Sequence, residues 1–140
     1  MEGLILYVHI GFLCIAGIGI LLADSSALAW LRGKRETVDA KALFVAHWVV
    51  TIGLSGLILT GLYLFWPMRS YLLGQPLFWL KMGFVVALVI NSFVIEALMN
   101  VAQVRPFNAL TTAQKFPLML SGAVSVICWA GAFLVAITLF

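Results

Sequence analysis

Four long runs of apolar residues, separated by three short polar stretches, make up almost the whole chain. The runs cover about Leu4–Leu31, Ala42–Trp66, Leu77–Ala102 and Phe116–Phe140. A helix needs about 20 apolar residues to cross the hydrocarbon layer, because each residue rises only ~1.5 Å. All four runs are long enough. The connections are Arg32–Lys41, Pro67–Pro76 and Gln103–Lys115, and nothing is left over for a second domain. The pattern predicts an all-α fold: an integral membrane four-helix bundle, a single transmembrane domain over residues 1–140. Pro67 and Pro76 are expected to end the second helix and start the third. Pro117 is expected in the first turn of the fourth, where its missing N–H is harmless.

Composition agrees with the pattern. The chain is 64% hydrophobic and 9% charged, against about 45–50% and about 25% in soluble domains. A soluble core this small cannot hide such an excess, so the expected solvent is the lipid bilayer. The first run has Glu2 where a signal peptide carries basic residues, and it outruns the ~7–15 apolar residues of a signal core. It is read as a mature helix.

The net charge of +3 matters through its placement. Arg32, Lys34, Arg35 and Lys41 lie in the first loop, and Arg105 and Lys115 in the third. Arg69 lies in the second, with Lys81 a turn into the next helix. Basic loops stay cytoplasmic. Loops one and three are therefore expected inside, with the N-terminus, the C-terminus and loop two outside, in a multi-pass protein of the inner (plasma) membrane. A nucleic-acid footprint would need a denser basic face, so no nucleic-acid partner is expected. Trp66, Tyr71 and Trp79 mark an outer aromatic belt and Trp30 an inner one. Small residues four apart (Ala23 and Ala27, Gly56 and Thr60, Ser121 and Ser125) permit close helix packing. No long internal repeat is visible. Cys14 and Cys128 fall inside helices, without CxxC or zinc spacing, and read as packing.

Ionisable groups in hydrocarbon are costly and therefore functional suspects. His9 and Asp24 lie on helix one, His47 on helix two, and Lys81 and Glu96 on helix three. The helical rise sorts them into two layers. An outer group holds Tyr7, His9, Lys81 and Met82; an inner group holds Asp24, His47, Glu96 and Asn100. His9 and His47 should differ in depth by roughly 15 Å, too far to ligate one haem iron. A haem at His9 would be five-coordinate or would use a neighbour such as Met82. One at His47 would look to Met99 or Met119.

These residues suggest a family. Leu6-Tyr7-Val8-His9-Ile10-Gly11, followed by Ala16-Gly17, resembles the first helix of HemJ-type protoporphyrinogen oxidases. Val49-Val50-Thr51 looks like their second helix. Lys81-Met82-Gly83-Phe84-Val85 resembles their third, and Phe107-Asn108-Ala109-Leu110 with Pro117 resembles the entry to their fourth. Thr60-Gly61-Leu62-Tyr63-Leu64 fits the related CopD-like copper-resistance membrane proteins at least as well. The resemblance spans nearly the whole chain in order. It implies a b-type haem and a redox role, with His9 as haem ligand and Lys81 as a functional base or propionate partner.

Three functions follow as expectations. The first is a haem-binding membrane redox protein, a haem-dependent oxidoreductase or electron carrier, using His9, Lys81 and Met82. The second is a metal-ion site or permease, with His47, Asp24 and Glu96 as a mixed N/O ligand set. The third is a structural or assembly subunit of a larger membrane complex, whose polar residues only join helices. A four-helix bundle is thin, and a homodimer is expected. No Ser/His/Asp constellation, Walker loop or dinucleotide fingerprint is present.

Overall fold

The computed structural model describes residues 1–139. Four α-helices carry the chain: α1 (Glu2–Leu31), α2 (Ala40–Leu72), α3 (Pro76–Ala102) and α4 (Thr112–Leu139), with a 3-10 turn at Phe107–Ala109. All four are long and apolar enough to cross a membrane, with mean hydropathies of 2.0 to 2.4. Their many exposed Leu, Ile, Val and Phe side chains suit lipid. The protein is an all-α, multi-pass membrane protein. It gathers into two compact units, Met1–Ser70 and Tyr71–Phe140, so that the last two residues of α2 fall in the second.

Helix ends differ from expectation at the prolines. Pro67 does not end α2, which runs on to Leu72. A proline removes one ladder bond and crowds one carbonyl, and an otherwise unbroken helix absorbs that in lipid, where neighbouring groups re-satisfy the backbone. The second connection shrinks to residues 73–75. Helix four begins at Thr112 rather than Phe116, which puts Pro117 at its sixth residue instead of its first turn. The earlier start has a cause. Thr111 and Gln114 make half of a capping box, in which the Thr111 N–H donates to Gln114 Oε1 at 3.1 Å. Asp39 caps α2 in the same spirit, its Oδ1 accepting from the Lys41 N–H at 3.0 Å. Phe140, the expected end of the fourth helix, lies outside the described residues.

In the first unit α1 and α2 pack antiparallel. Gly19 meets Val49 and Val50, Ala16 meets Gly53, Phe12 meets Gly56, and His9 meets Thr60. The α1 partners recur at alternating spacings of three and four residues. Continued to Trp30, that stripe (9, 12, 16, 19, 23, 26, 30) contains no exposed residue. This is the spacing of ridges packed into grooves at a shallow angle. The approach is closest at the middle. A Cβ built on Gly53 would lie 2.7 Å from the Ala16 backbone nitrogen and 2.8 Å from its Cα. Trp30, expected as an aromatic-belt residue, is instead 1% exposed; it closes the stripe at the end next to the first loop.

The second unit repeats the device. On α3 the stripe is Lys81, Phe84, Leu88, Asn91, Ile95 and Leu98; on α4 it is Gln114, Pro117, Ser121, Val124, Cys128, Gly131 and Val135, and none of these is exposed. Phe84 lies against Gly131 as Phe12 lies against Gly56. The two units also correspond at a constant offset. Ala40 opens α2 and Thr112 opens α4. Val38 and Leu110 are the buried residues of their respective loops. Both pairs are 72 positions apart, as are His9 and Lys81, Phe12 and Phe84, and Asp24 and Glu96. The chain thus holds a repeat of architecture that few identical residues betray. At lipid-facing positions any apolar side chain serves, so the pattern persists where identity does not.

The seam makes a stability prediction. Gly53→Ala forces a methyl into the Ala16 backbone and should destabilise the hairpin by about 1–3 kcal/mol, the usual cost of overpacking. Gly11→Ala, where an added Cβ meets nothing within 4 Å, should not. Thermal unfolding in detergent followed by circular dichroism separates the two.

Candidate functional site

His9 sits on the α1 stripe one turn before Phe12, and the small residues of α2 bring Thr60 within reach of it. His9 Nδ1 and Thr60 Oγ1 are 2.7 Å apart. The direction of that bond can be worked out. The Thr60 hydroxyl has one proton and lies 2.6 Å from the Gly56 carbonyl oxygen. Two oxygens that close need the proton between them. The hydroxyl therefore donates to Gly56, and its lone pair accepts from His9 Nδ1–H. In the neutral ring the remaining lone pair is then on Nε2. A hydrogen bond at Nδ1 that fixes tautomer and ring orientation is what metal-ligating histidines use. Gly61 lies beside the ring, where a Cβ would come 3.5 Å from His9 Cε1. Nε2 is then the basic nitrogen of the ring.

His47 lies elsewhere in the same unit. Thr60 is level with His9 across the seam, and His47 is thirteen residues earlier on α2. At ~1.5 Å per residue that is about 20 Å along the helix. The two imidazoles of this unit therefore stand too far apart to share one iron, as their depths along the sequence imply. Ala46, not His47, faces α1; His47 is exposed and stacks edge-on against Trp48, with centroids 6.4 Å apart. Its carbonyl accepts from the Thr51 hydroxyl at 2.7 Å. Asp24 is half-buried beside the stripe.

In the second unit Lys81 is half-buried on the α3 stripe, while Met82, one residue on, turns outward and is exposed. Neighbours in a helix point about 100° apart, so the pair does not present one combined face. Glu96 and Asn100 are exposed. Among the described residues no three His, Cys, Asp or Glu side chains form a group able to hold a metal ion.

The polar contact that sequence reasoning missed is Asn91 with Ser121. The Ser121 hydroxyl donates to Asn91 Oδ1 at 2.9 Å, and Asn91 Nδ2 donates to the Ser121 carbonyl at 3.0 Å. Both residues are buried, at 7% and 5% exposure. Asn91 is one polar residue within helix three, and Ser121 reads along the chain only as a small residue in helix four. Only the antiparallel register joins them.

Comparison with protein-family models, with curated proteins and with solved structures returns no match.

The Asn91 clasp gives a measurable coupling. Asn91→Ala and Ser121→Ala should each lower unfolding stability in detergent by about 0.5–1.5 kcal/mol, and the double variant should cost little more than either single one. Fully additive losses would mean that the two side chains do not act together.

Proposed function

We propose that the chain is a membrane-embedded haem-binding redox protein of the inner membrane, with its basic first and third loops on the cytoplasmic side and His9 as the residue that would hold the haem iron. The observation that carries this reading is the hydrogen-bond relay from His9 Nδ1 through the Thr60 hydroxyl to the Gly56 carbonyl. It holds the imidazole in the tautomer with its lone pair on Nε2, and it does so on a helix face already anchored by Phe12 and Ala16. A bound b-type haem would supply one-electron chemistry. The protein's own part is to orient the ligand and to keep water from it with apolar helix faces. The likeness of the His9 and Lys81 segments to HemJ-type oxidases favours the same reading.

A second reading rests on a specific observation. Asn91 and Ser121 join two helices by the same kind of bond as His9 and Thr60, and neither side chain suits iron. Both pairs would then be helix joints in a structural or assembly subunit.

The absorption spectrum separates the readings. Protein purified after expression with added haem precursor should show a Soret band. His9→Ala should abolish it, His47→Ala should leave it, and Thr60→Val should weaken haem affinity about 10-fold or more, the usual cost of losing a partner behind a ligand. A colourless protein that co-purifies with a larger membrane complex would favour the structural reading.

A further inference from the structure

The inner end of α1 carries a second feature, independent of His9. A cavity of about 230 Å³ is lined by Ser25, Leu28, Ala29, Arg32 and Lys34. The first four lie on one face of the last two turns of α1, at i, i+3, i+4 and i+7. Lys34 joins them because the chain folds back. Gly33 takes φ +73°, the left-handed region that suits glycine. The Gly33 N–H donates to the Trp30 carbonyl at 3.1 Å, and the Lys34 N–H to the Ala29 carbonyl at 3.0 Å. This is the Schellman arrangement, the common way to close a helix on a glycine. It sets the Lys34 backbone against the last turn, beside Arg32.

Charge and polarity then define what fits. Two of the five lining residues, Arg32 and Lys34, are basic, and a guanidinium with an ammonium is a combination that recognises phosphate oxygens, the first through its planar fork and the second as a point charge. The C-terminal end of a helix ordinarily repels anions through its exposed carbonyls. Here the Leu28, Ala29 and Trp30 carbonyls already accept from the Arg32, Lys34 and Gly33 N–H groups, respectively. The nearby Asp39 carboxylate is engaged by the Lys41 N–H. The floor of the cavity is apolar, and Leu28 is 47% exposed along the same face. An anionic head above an apolar floor, at the end of a membrane-crossing helix, is where a phospholipid places its phosphate and the start of its acyl chains.

We infer that Arg32 and Lys34, held by the Gly33 turn, form a binding site for the phosphate of an anionic lipid headgroup in the leaflet that faces the first loop. Basic pockets at the cytoplasmic ends of membrane helices bind such headgroups. The bond is to phosphate, so a soluble phosphate is the alternative source of the same chemistry.

The test is native mass spectrometry of the full chain released from detergent, titrated separately with phosphatidylglycerol, phosphatidylcholine and inorganic phosphate. Phosphatidylglycerol should bind at least 5-fold more tightly than phosphatidylcholine, and R32Q/K34Q should remove that preference. R35Q/K41Q, which deletes the same charge from residues outside the cavity, should keep it. Inorganic phosphate adducts that depend on Arg32 and Lys34, without a lipid preference, would keep the phosphate site and assign it to a soluble ligand. Equal binding of all three probes by the parent and by R32Q/K34Q would overturn the proposal. The Gly33 turn is built from backbone bonds, so the variants should retain parent helicity by circular dichroism. Gly33→Val, which strains the turn but leaves both cations in place, should weaken phosphatidylglycerol binding as well.

Discussion

Water does not reach the middle of a hydrocarbon slab, so a polar atom carried into it must be satisfied by the chain itself. Among the described residues, a polar pair in each helical hairpin meets that constraint. His9 and Thr60 serve the first unit and Asn91 and Ser121 the second. Both pairs also reach the backbone. The Thr60 hydroxyl donates to the Gly56 carbonyl, and the Asn91 amide N–H donates to the Ser121 carbonyl. Polar groups at single positions of an apolar seam fix register, because sliding one helix by a turn would strand them. A pure Leu and Val seam has no such preference.

The His9 pair depends in turn on how closely the backbones approach. A threonine hydroxyl reaches barely past its own Cβ. It meets a histidine ring on the facing helix only if the helices nearly touch. Gly53 and Gly56 make that possible, because neither has a side chain to hold Ala16 and Phe12 away. In lipid the helices gain nothing from hiding apolar surface, so close packing by small residues is the main attractive force left. The small-residue seam thus comes first in the hierarchy. The polar pair follows from it, and the tautomer of His9 follows from the polar pair.

Much of this was legible along the chain, and the parts that were not share a cause. Helix number and approximate span follow from run length, since hydrocarbon thickness sets a hard minimum. The depths of His9 and His47 follow from a fixed helical rise. The prolines misled, because Pro67 reads as a terminator in water but interrupts only one bond in a helix that lipid otherwise enforces. Trp30 misled for a related reason. Its place near a polar loop fits an interfacial anchor, yet it falls on the seam stripe and is buried. Thr60 and Ser121 were noted only as small. A hydroxyl's role as acceptor is set by the residue opposite, and an antiparallel partner fifty-one or thirty positions away has no local signature. The Gly33 turn was hidden similarly, since a glycine in a basic loop shows its meaning only through the carbonyls that it caps.

The correspondence between the two units sharpens what is special about the first. His9 and Lys81 occupy the same slot of the same hairpin plan, each one turn ahead of a phenylalanine that packs on a glycine. Further along, the hairpins diverge. Where the first has Ala16 and Gly19, both buried with no bulk to spare, the second has Leu88 and Asn91. One hairpin is drawn together by backbone contact, and the other is held by a side-chain hydrogen bond through its centre. Backbone contact sets the geometry of the polar slot near the start of α1, and there the chain places a ring whose chemistry depends on orientation. The other hairpin puts at the same slot a flexible ammonium, which needs no fixed tautomer to act as a charge. The same hairpin plan thus carries at one slot a ring oriented by a facing hydroxyl and at the other a long, flexible side chain.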